Sequence, residues 1–579
     1  MKSLRSIIVV LVSMLPLSTY AQSKEVEYNA RRAATIQAMD SVLKYAQIDP
    51  GTLMKYADDK CKAFKNDSVL MDSIADAFSA YGGFHDQSIE RFRELKRIHP
   101  KYLGGYLSYA ARMHSVGIQM MNGQIQLDPK YRKLAKEQID SIKKISPNSE
   151  VPYISWLKLC SKYVIIRTIQ EDFRNEVAAY DKAFPQSNAY YVAGNLLSET
   201  KLDLSQFSKD DQNRYSKTFL NFTREFYDAL NPQTMTPNQL TNSSLYYYTT
   251  VGRWRTIMDS LSRIDYFEKG RELAQRGIEK HPDSIRLQRL FLWHSAELMK
   301  YDKVQEIFYA TEATKAATTL IEHSDILGKD YFYYALALQK LKKETEAIEM
   351  YWKALNKGKG LRYNDREYNC DSTTAYNNII VCYNNMKDYK NAIAITQIRN
   401  EILTKKGKQL AREDLATLGE YYDKFGRDTL NSIEERYGAF LKSDSLYTII
   451  QERINDGTYT NPVSRDGSLM SGMYTYRRMQ NSVYVKSRLK RDEVSPHEIA
   501  RQLVDILKPI AEKSRVERNY LGTAYVQLMV YYDAAKDYKN ALENIQLAES
   551  VCPGIISDMG FNSSYETIEN SFKKKIRGK

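Results

Sequence analysis

Lys387-Asp388-Tyr389-Lys390-Asn391-Ala392 returns, residue for residue, at Lys536 to Ala541. The neighbourhoods agree as well. Tyr383 lies nine residues before Ala392 and Tyr532 nine before Ala541, while Tyr376 and Tyr525 stand a further seven back. Apolar residues at helical spacing flank both copies, so the hexapeptide marks a repeated supersecondary unit. The rest of the chain reads as weaker copies of that unit.

A proline closes one helix pair after another. Asp72 to Ala80 and Gln87 to Ile98 form a pair ended by His99-Pro100. Tyr102 to Gln119 with Tyr131 to Ile145 ends at Ser146-Pro147, and Pro152 to Thr168 with Glu171 to Ala183 ends at Phe184-Pro185. Proline lacks the N–H a helix needs and disfavours helical geometry in the residue before it. Residues 24–65 read as helix broken at Asp49-Pro50-Gly51, and Asn188 to Ser198 and Asp210 to Ala229 as further helices. Leu245-Tyr246-Tyr247-Tyr248 fits either a strand or a buried helix face; its neighbours favour helix. Tyr266 to Lys280 closes at His281-Pro282, and Ile285 to Met299 follows.

From Gly328 onward the chain resembles the tetratricopeptide (TPR) repeat, a helical hairpin with aromatic, small and proline markers. In the first copy Tyr331, Ala335, Ala347, Tyr351 and Ala354 stand on the markers. A copy starting at Thr373 puts Tyr376, Tyr383 and Ala392 there, with Thr396 and Arg399 where an aromatic and an alanine are usual. A third from Gly522 supplies Tyr525, Leu528, Tyr532, Ala541, Ile545, Ala548 and Pro553, with Met529 in the place of a small residue. The resemblance, to TPR proteins of an exported bacterial type, implies an all-α fold of tandem helix-turn-helix repeats stacked as an α-solenoid. A lone hairpin cannot bury its apolar face, so neighbours must stack.

The expected division is a leader at 1–21, degenerate hairpins at 22–264, TPR-like repeats at 265–430, an irregular basic, tyrosine-rich insertion at 431–494, and a last repeat with its capping helix at 495–579. Asp456 to Pro462 and Ser464 to Ser468 read as loop. Ser495-Pro496-His497-Glu498 and Ser563 to Glu566 read as helix starts. Lys2 and Arg5, the apolar stretch Ile7 to Leu17 and the exit to Ala21 spell a secretory signal, so the expected location is the periplasm or cell envelope. No later stretch is apolar enough to span a membrane, and no cysteine follows the leader for lipid attachment.

A net charge of +13 over 579 residues favours solubility without identifying a nucleic-acid binder. Forty-five tyrosines suit helix packing in which rings are buried and hydroxyls reach water. The five cysteines show no metal spacing and no dense disulfide framework; Cys370 and Cys382 either bridge or serve as small apolar side chains. No H-E-x-x-H, G-x-S-x-G or phosphate-cradling glycine loop occurs, and the seven histidines are scattered. The sequence therefore points to a non-enzyme without cofactor, metal or catalytic residues.

The family resemblance implies a groove lined by the first helix of each hairpin, which places Phe332, Gln339, Lys340, Asn377, Asn384 and Asn385 along it. Asparagine amides suit a peptide backbone or sugar hydroxyls, and Phe332 would be an apolar anchor. The lysine and asparagine arrangement by which some relatives clamp a C-terminal carboxylate is not reproduced. A second candidate is the basic patch Arg477, Arg478, Lys486, Arg488, Lys490 and Arg491, interleaved with Tyr474, Tyr476 and Tyr484. It fits an acidic partner, an anionic glycan or lipid headgroups, or else a helix with a cationic solvent face and its tyrosines packed inward. The expected partner is a protein or peptide, with a glycan- or nutrient-binding role in the envelope as the alternative, and no nucleic acid.

Overall fold

In the computed structural model the repeated hexapeptide forms a turn between two helices and the first residues of the second. Lys387 and Lys536 occupy the left-handed region with φ of 60° and 61°, and so does Lys342 (φ 60°) in the Gly328 repeat. The turn hydrogen bonds match too. The N–H of Lys387 donates to Asn384 O at 3.0 Å and that of Asp388 to Tyr383 O at 2.9 Å; Lys536 and Asp537 do the same to Asp533 O and Tyr532 O at 3.0 and 2.9 Å. Asp388 and Asp537 then cap the second helix, each accepting from the N–H and the side-chain amide of an asparagine three residues on, Asn391 and Asn540. Such caps contribute about 1 kcal/mol each. Ala392 and Ala541, which end the motif, are fully buried, because a small side chain at a helix crossing lets axes approach to about 8–10 Å.

The structure describes residues 19–45, 49–121, 124–323, 325–357, 372–405, 407–463, 469–510 and 514–578. Most of the expected leader (1–18), Cys370, and loop residues 464–468 lie outside them. The chain divides into two units, Met1–Leu290 and Phe291–Lys579.

The N-terminal unit holds α1 (Thr19–Tyr45), α2 (Pro50–Ala63), α3 (Ser68–Gly82), α4 (His85–Ile98), α5 (Leu103–Val116), β1 (Ile118–Met121), β2 (Gln124–Leu127), α6 (Pro129–Ile145), α7 (Val151–Ser161), α8 (Arg167–Ala183), α9 (Ala189–Glu199), α10 (Lys209–Asp228), α11 (Pro237–Arg253) and α12 (Ser260–Lys280). Its hairpin closures are one geometry used repeatedly. His99, Ser146, Phe184 and His281 all have φ between −124° and −136° and ψ between 67° and 71°. Each N–H reaches back four residues, to Leu95, Ile142, Tyr180 and Gly277, at 2.8–2.9 Å. The four pairs thus share one closing backbone geometry although their side chains carry little of the repeat pattern. Tyr246 and Tyr247 lie inside α11 as buried helix residues.

Two expectations fail here: the helix expected over Pro152 to Thr168 ends at Ser161 and the next begins at Arg167 rather than Glu171, and a strand pair replaces the end of another. The helix beginning near Tyr102 stops at Val116, and residues through Gln119 and beyond form the antiparallel pair β1 and β2, with Met120 opposite Ile125. Ile118-Gln119-Met120-Met121-Asn122-Gly123-Gln124-Ile125-Gln126-Leu127 carries the hairpin signal, an Asn-Gly between short apolar-polar runs.

Helix α13 (Ile285–Tyr301) contains the division between units. The C-terminal unit continues with α14 (Glu306–Leu320), α15 (Gly328–Lys340), α16 (Glu344–Lys357), α17 (Ser372–Asn385), α18 (Tyr389–Lys405), α19 (Arg412–Arg427), α20 (Ile433–Asn455), α21 (Met470–Arg488), α22 (Pro496–Leu507), α23 (Arg515–Ala534), α24 (Tyr538–Val551), α25 (Ile555–Asp558) and α26 (Tyr565–Ile576). From α14 to α24 each helix packs on the next in chain order, the arrangement of an α-solenoid. Cys552, before Pro553, repeats the N-terminal closures with φ −137° and ψ 85°. Helix α26 lays Phe572 (3% exposed) onto the core formed by α22 to α24.

The expected irregular insertion at 431–494 is corrected: two long helices, α20 and α21, occupy most of it. Ser432 and Glu435 form a capping box at the start of α20, and among the described residues, 456–463 and 489–494 are non-helical. At 495 the serine makes no side-chain cap, and at the last helix the capping hydroxyl is that of Ser564, one residue later than expected.

Candidate functional site: the first-helix face of the C-terminal hairpins

Helices α15, α17 and α23 are the first helices of the three clearest repeats, and equivalent positions on them can be compared. Counting five residues on from Tyr331, Tyr376 and Tyr525 gives Leu336, Val381 and Val530. Leu336 is half-buried, and Val381 and Val530 are 42% and 43% exposed. An apolar residue recurs on the same face of the first helix without being covered. On α17 its neighbours one turn away are Asn377 behind, and Asn384 and Asn385 ahead.

Most groove candidates from the sequence are already engaged. Phe332 is corrected as an anchor: it is 9% exposed, with its ring 5.6 Å from Tyr351 and 5.8 Å from Tyr333. Its apolar surface is spent inside the hairpin. Gln339 Oε1 accepts from the Tyr351 hydroxyl at 2.9 Å, and that hydroxyl accepts from Asn378 Nδ2 at 3.0 Å, which ties α15, α16 and α17 together. Lys340 pairs with Glu306 of α14 at 2.7 Å, an interaction that helps hold the Glu306 carboxyl below its ordinary range. Asn377 Oδ1 accepts from Arg399 Nη1 at 2.7 Å, Asn384 Oδ1 from Lys424 Nζ at 2.8 Å, and Asn385 Nδ2 donates to Glu344 Oε1 at 2.9 Å. Asn377 and Asn385 nonetheless remain exposed, so each amide keeps capacity for a second partner.

The basic patch divides into two halves. On α21, Arg477 Nη1 bonds Glu420 Oε1 of α19 at 2.5 Å, and Arg478 bonds Asp444 at 2.8 Å and Gln451 at 2.7 Å, both on α20. Arg491 pairs with Glu434. These cations are matched by acids from neighbouring helices and hold the hairpins in register. Lys486, Arg488 and Lys490 are exposed. Tyr474 is packed inward, 2% exposed and stacked on Tyr447 at 5.6 Å.

The Tyr447 hydroxyl that Arg477 reaches at 3.4 Å also meets a carboxylate that sequence reading did not single out. Asp423 of α19 accepts from Ser443, from the Tyr447 hydroxyl at 3.0 Å and from Asn481. Burial pushes its carboxyl above the ordinary value while those donors pull it back. Its partners stand 20, 24 and 58 residues away, which no local pattern could reveal. Among the described residues no group of histidine, cysteine and carboxylate side chains is placed to hold a metal ion. No described helix is long and apolar enough to cross a membrane.

No protein-family model matches the chain, and no curated protein sequence does. Solved structures do align. The C-terminal part of a TPR repeat-containing protein from Cytophaga hutchinsonii is 15% identical, with a TM-score of 0.32 over 51% of this chain and 95% of that one. Yeast Tom70 is 10% identical with a TM-score of 0.24 over 95% and 97%. The human IFIT1 dimer with PPP-AAAA is 12% identical with a TM-score of 0.21 over 68% and 78%. These scores are too low for shared overall geometry; the hairpin stacking stands on this chain's own helices.

Proposed function

We propose that this protein is an exported, TPR-like interaction scaffold of the cell envelope, and that it takes a protein partner on the first-helix face of the C-terminal hairpins. The observation carrying the reading is the recurrence of uncovered valine at equivalent positions, Val381 and Val530. A solvated helix face gains nothing from valine, whereas a protein interface gains roughly 25 cal/mol for each Å² of apolar surface covered. Asn377 and Asn385 beside Val381 supply hydrogen bonds for a partner backbone.

The leader signature of Lys2, Arg5, Ile7 to Leu17 and Ala21 supports the envelope location. Fractionation followed by N-terminal sequencing tests it, with a mature chain starting at Gln22 expected. For the face itself, a photo-crosslinking residue at position 385, one turn from Val381 and exposed, should capture a protein from envelope extract. The Val381→Asp, Val530→Asp double variant should lose that protein while keeping its helical circular dichroism. Capture unchanged by the double variant would set the face aside.

A further inference from the structure

A cavity of about 380 Å³ opens between α18, α19 and α20. Ile393, Phe425 and Ala439 give it an apolar floor, Gln397 and Tyr422 a polar wall, and Lys390 and Lys442 two exposed ammonium groups at the mouth. Its volume falls in the range of small-molecule sites, about 300–1,000 Å³. Gln397 Nε2 donates to the Tyr422 hydroxyl oxygen at 3.1 Å. That bond uses the oxygen as acceptor and leaves the phenolic hydrogen to be given to something else. Burial raises the Tyr422 phenol above its ordinary value, so it keeps that hydrogen across the neutral range. Lys442 lies over the Tyr422 ring, 5.4 Å from its centre. Glu435, the acid on the wall, is turned back to its own helix start, accepting from the Ser432 N–H at 3.0 Å and hydroxyl at 2.8 Å.

A second observation points to an occupant. Gly438 sits inside α20, facing this cavity, and a Cβ built there meets nothing within 4 Å. Interior helical glycine is less favourable than alanine by about 1 kcal/mol. The two glycines of α19 have a packing reason: a Cβ on Gly419 would come within 2.8 Å of the Tyr447 ring, and one on Gly426 within 2.9 Å of Phe440. Gly438 has none, and what it preserves is open space and backbone access at the cavity wall.

We infer that this cavity is a binding site for a small amphipathic monocarboxylate, an aryl- or alkyl-carboxylic acid. Its apolar body would lie on Ile393, Phe425 and Ala439 against Gly438, and its carboxylate would take the Tyr422 hydrogen and the Lys390 and Lys442 charges. A neutral apolar ligand would use neither ammonium group, of which Lys390 already lies near Glu435 and adds to the Ser432 bonds that hold that carboxyl down, and a highly charged one would place charge on the apolar floor. The inference is independent of the protein-binding reading, since it uses other helices and another ligand class.

Titration calorimetry on the full chain tests it with 3-phenylpropionate, decanoate and their primary amides as probes. The acids should bind more tightly than the amides by about tenfold, the scale of one charge-assisted contact. Lys390→Gln with Lys442→Gln should erase that preference, and Tyr422→Phe should weaken both acids. Gly438→Leu should fill the space and abolish binding while Gly438→Ala folds with equal or higher Tm. Should Gly438→Leu fail to fold, the lysine double variant decides alone. Equal affinity for acid and amide, acid binding untouched by the lysine double variant, or no saturable binding of any probe would overturn the inference.

Discussion

Arg399 of α18 donates through Nη1 to Asn377 Oδ1 of α17 at 2.7 Å and through Nη2 to Asp414 Oδ1 of α19 at 2.9 Å. Its side chain is 9% exposed. An arginine thus stands where the repeat pattern has alanine, and it joins three consecutive helices. Thr396, the other departure, returns its hydroxyl to Ala392 O at 2.7 Å. Removing Arg399 takes the cationic partner from a half-buried Asp414, which keeps only the Ala411 N–H at 3.0 Å, so Arg399→Ala should lower stability by about 2–3 kcal/mol. Arg399→Met, which keeps the apolar stem, should lose less. Urea denaturation of both variants checks this; equal, small losses would show the three-way contact contributes little. The same contact explains why substituting Asn377 is a poor test of binding: it would disturb the hairpin itself.

The glycines of α19 and α20 should respond in opposite directions. Gly419→Ala and Gly426→Ala drive a methyl into Tyr447 and Phe440, and overpacking of this kind costs about 1–3 kcal/mol. Gly438→Ala meets nothing and should stabilise by about 0.5–1 kcal/mol. Thermal melts separate the cases. A destabilised Gly438→Ala would mean that α20 does not run as a regular helix past this point.

Asp72 of α3 gives the N-terminal unit a pH-dependent element. Burial pushes its carboxyl up to about 7 despite bonds from Ser108 at 2.9 Å and Tyr102 at 3.5 Å, and Asp76 nearby adds to the rise. A carboxyl held above its unfolded value favours the folded state at low pH, and that stabilisation is lost as pH rises from about 4 to about 7. Buried His114, lowered to about 4, acts with the opposite sign: its contribution is present above the ordinary histidine value and lost as pH falls toward 4. The two offset each other in the wild-type curve. Asp72→Asn should therefore gain Tm over wild type as pH rises from 4 to 8, with little difference at 4. A difference independent of pH would rule out Asp72 as the titrating group.

The described cysteines should differ in reactivity. Cys160 and Cys382 are fully buried, with thiols raised well above their ordinary value by desolvation, and Cys61 is pushed up to about 11. Cys552 is half-buried. Timed maleimide labelling of the native protein with mass spectrometry should find Cys552 modified before Cys61, Cys160 and Cys382, because the thiolate is the reacting form and must be reachable. Early labelling at Cys160 would indicate local opening around α7.

Much of the architecture was present in the sequence because it rests on short-range constraints. The lysine–aspartate turns at 387 and 536, the alanines at 392 and 541, and the residues before Pro100, Pro147, Pro185 and Pro282 each act within one or two helical turns, so type and spacing suffice to place them. The strand pair at 118–127 was also legible, in its Asn-Gly, but the surrounding helical rhythm outweighed it.

What a side chain does after its helix is placed was a tertiary decision. Phe332 reads as an anchor until Tyr351 covers it, and Arg477 as a free cation until Glu420, 57 residues away, meets it. Asp423 and the cavity beside Gly438 are each assembled from three elements. Helix periodicity determines which residues share a face; only the stacking of successive hairpins determines whether that face meets a neighbour or water.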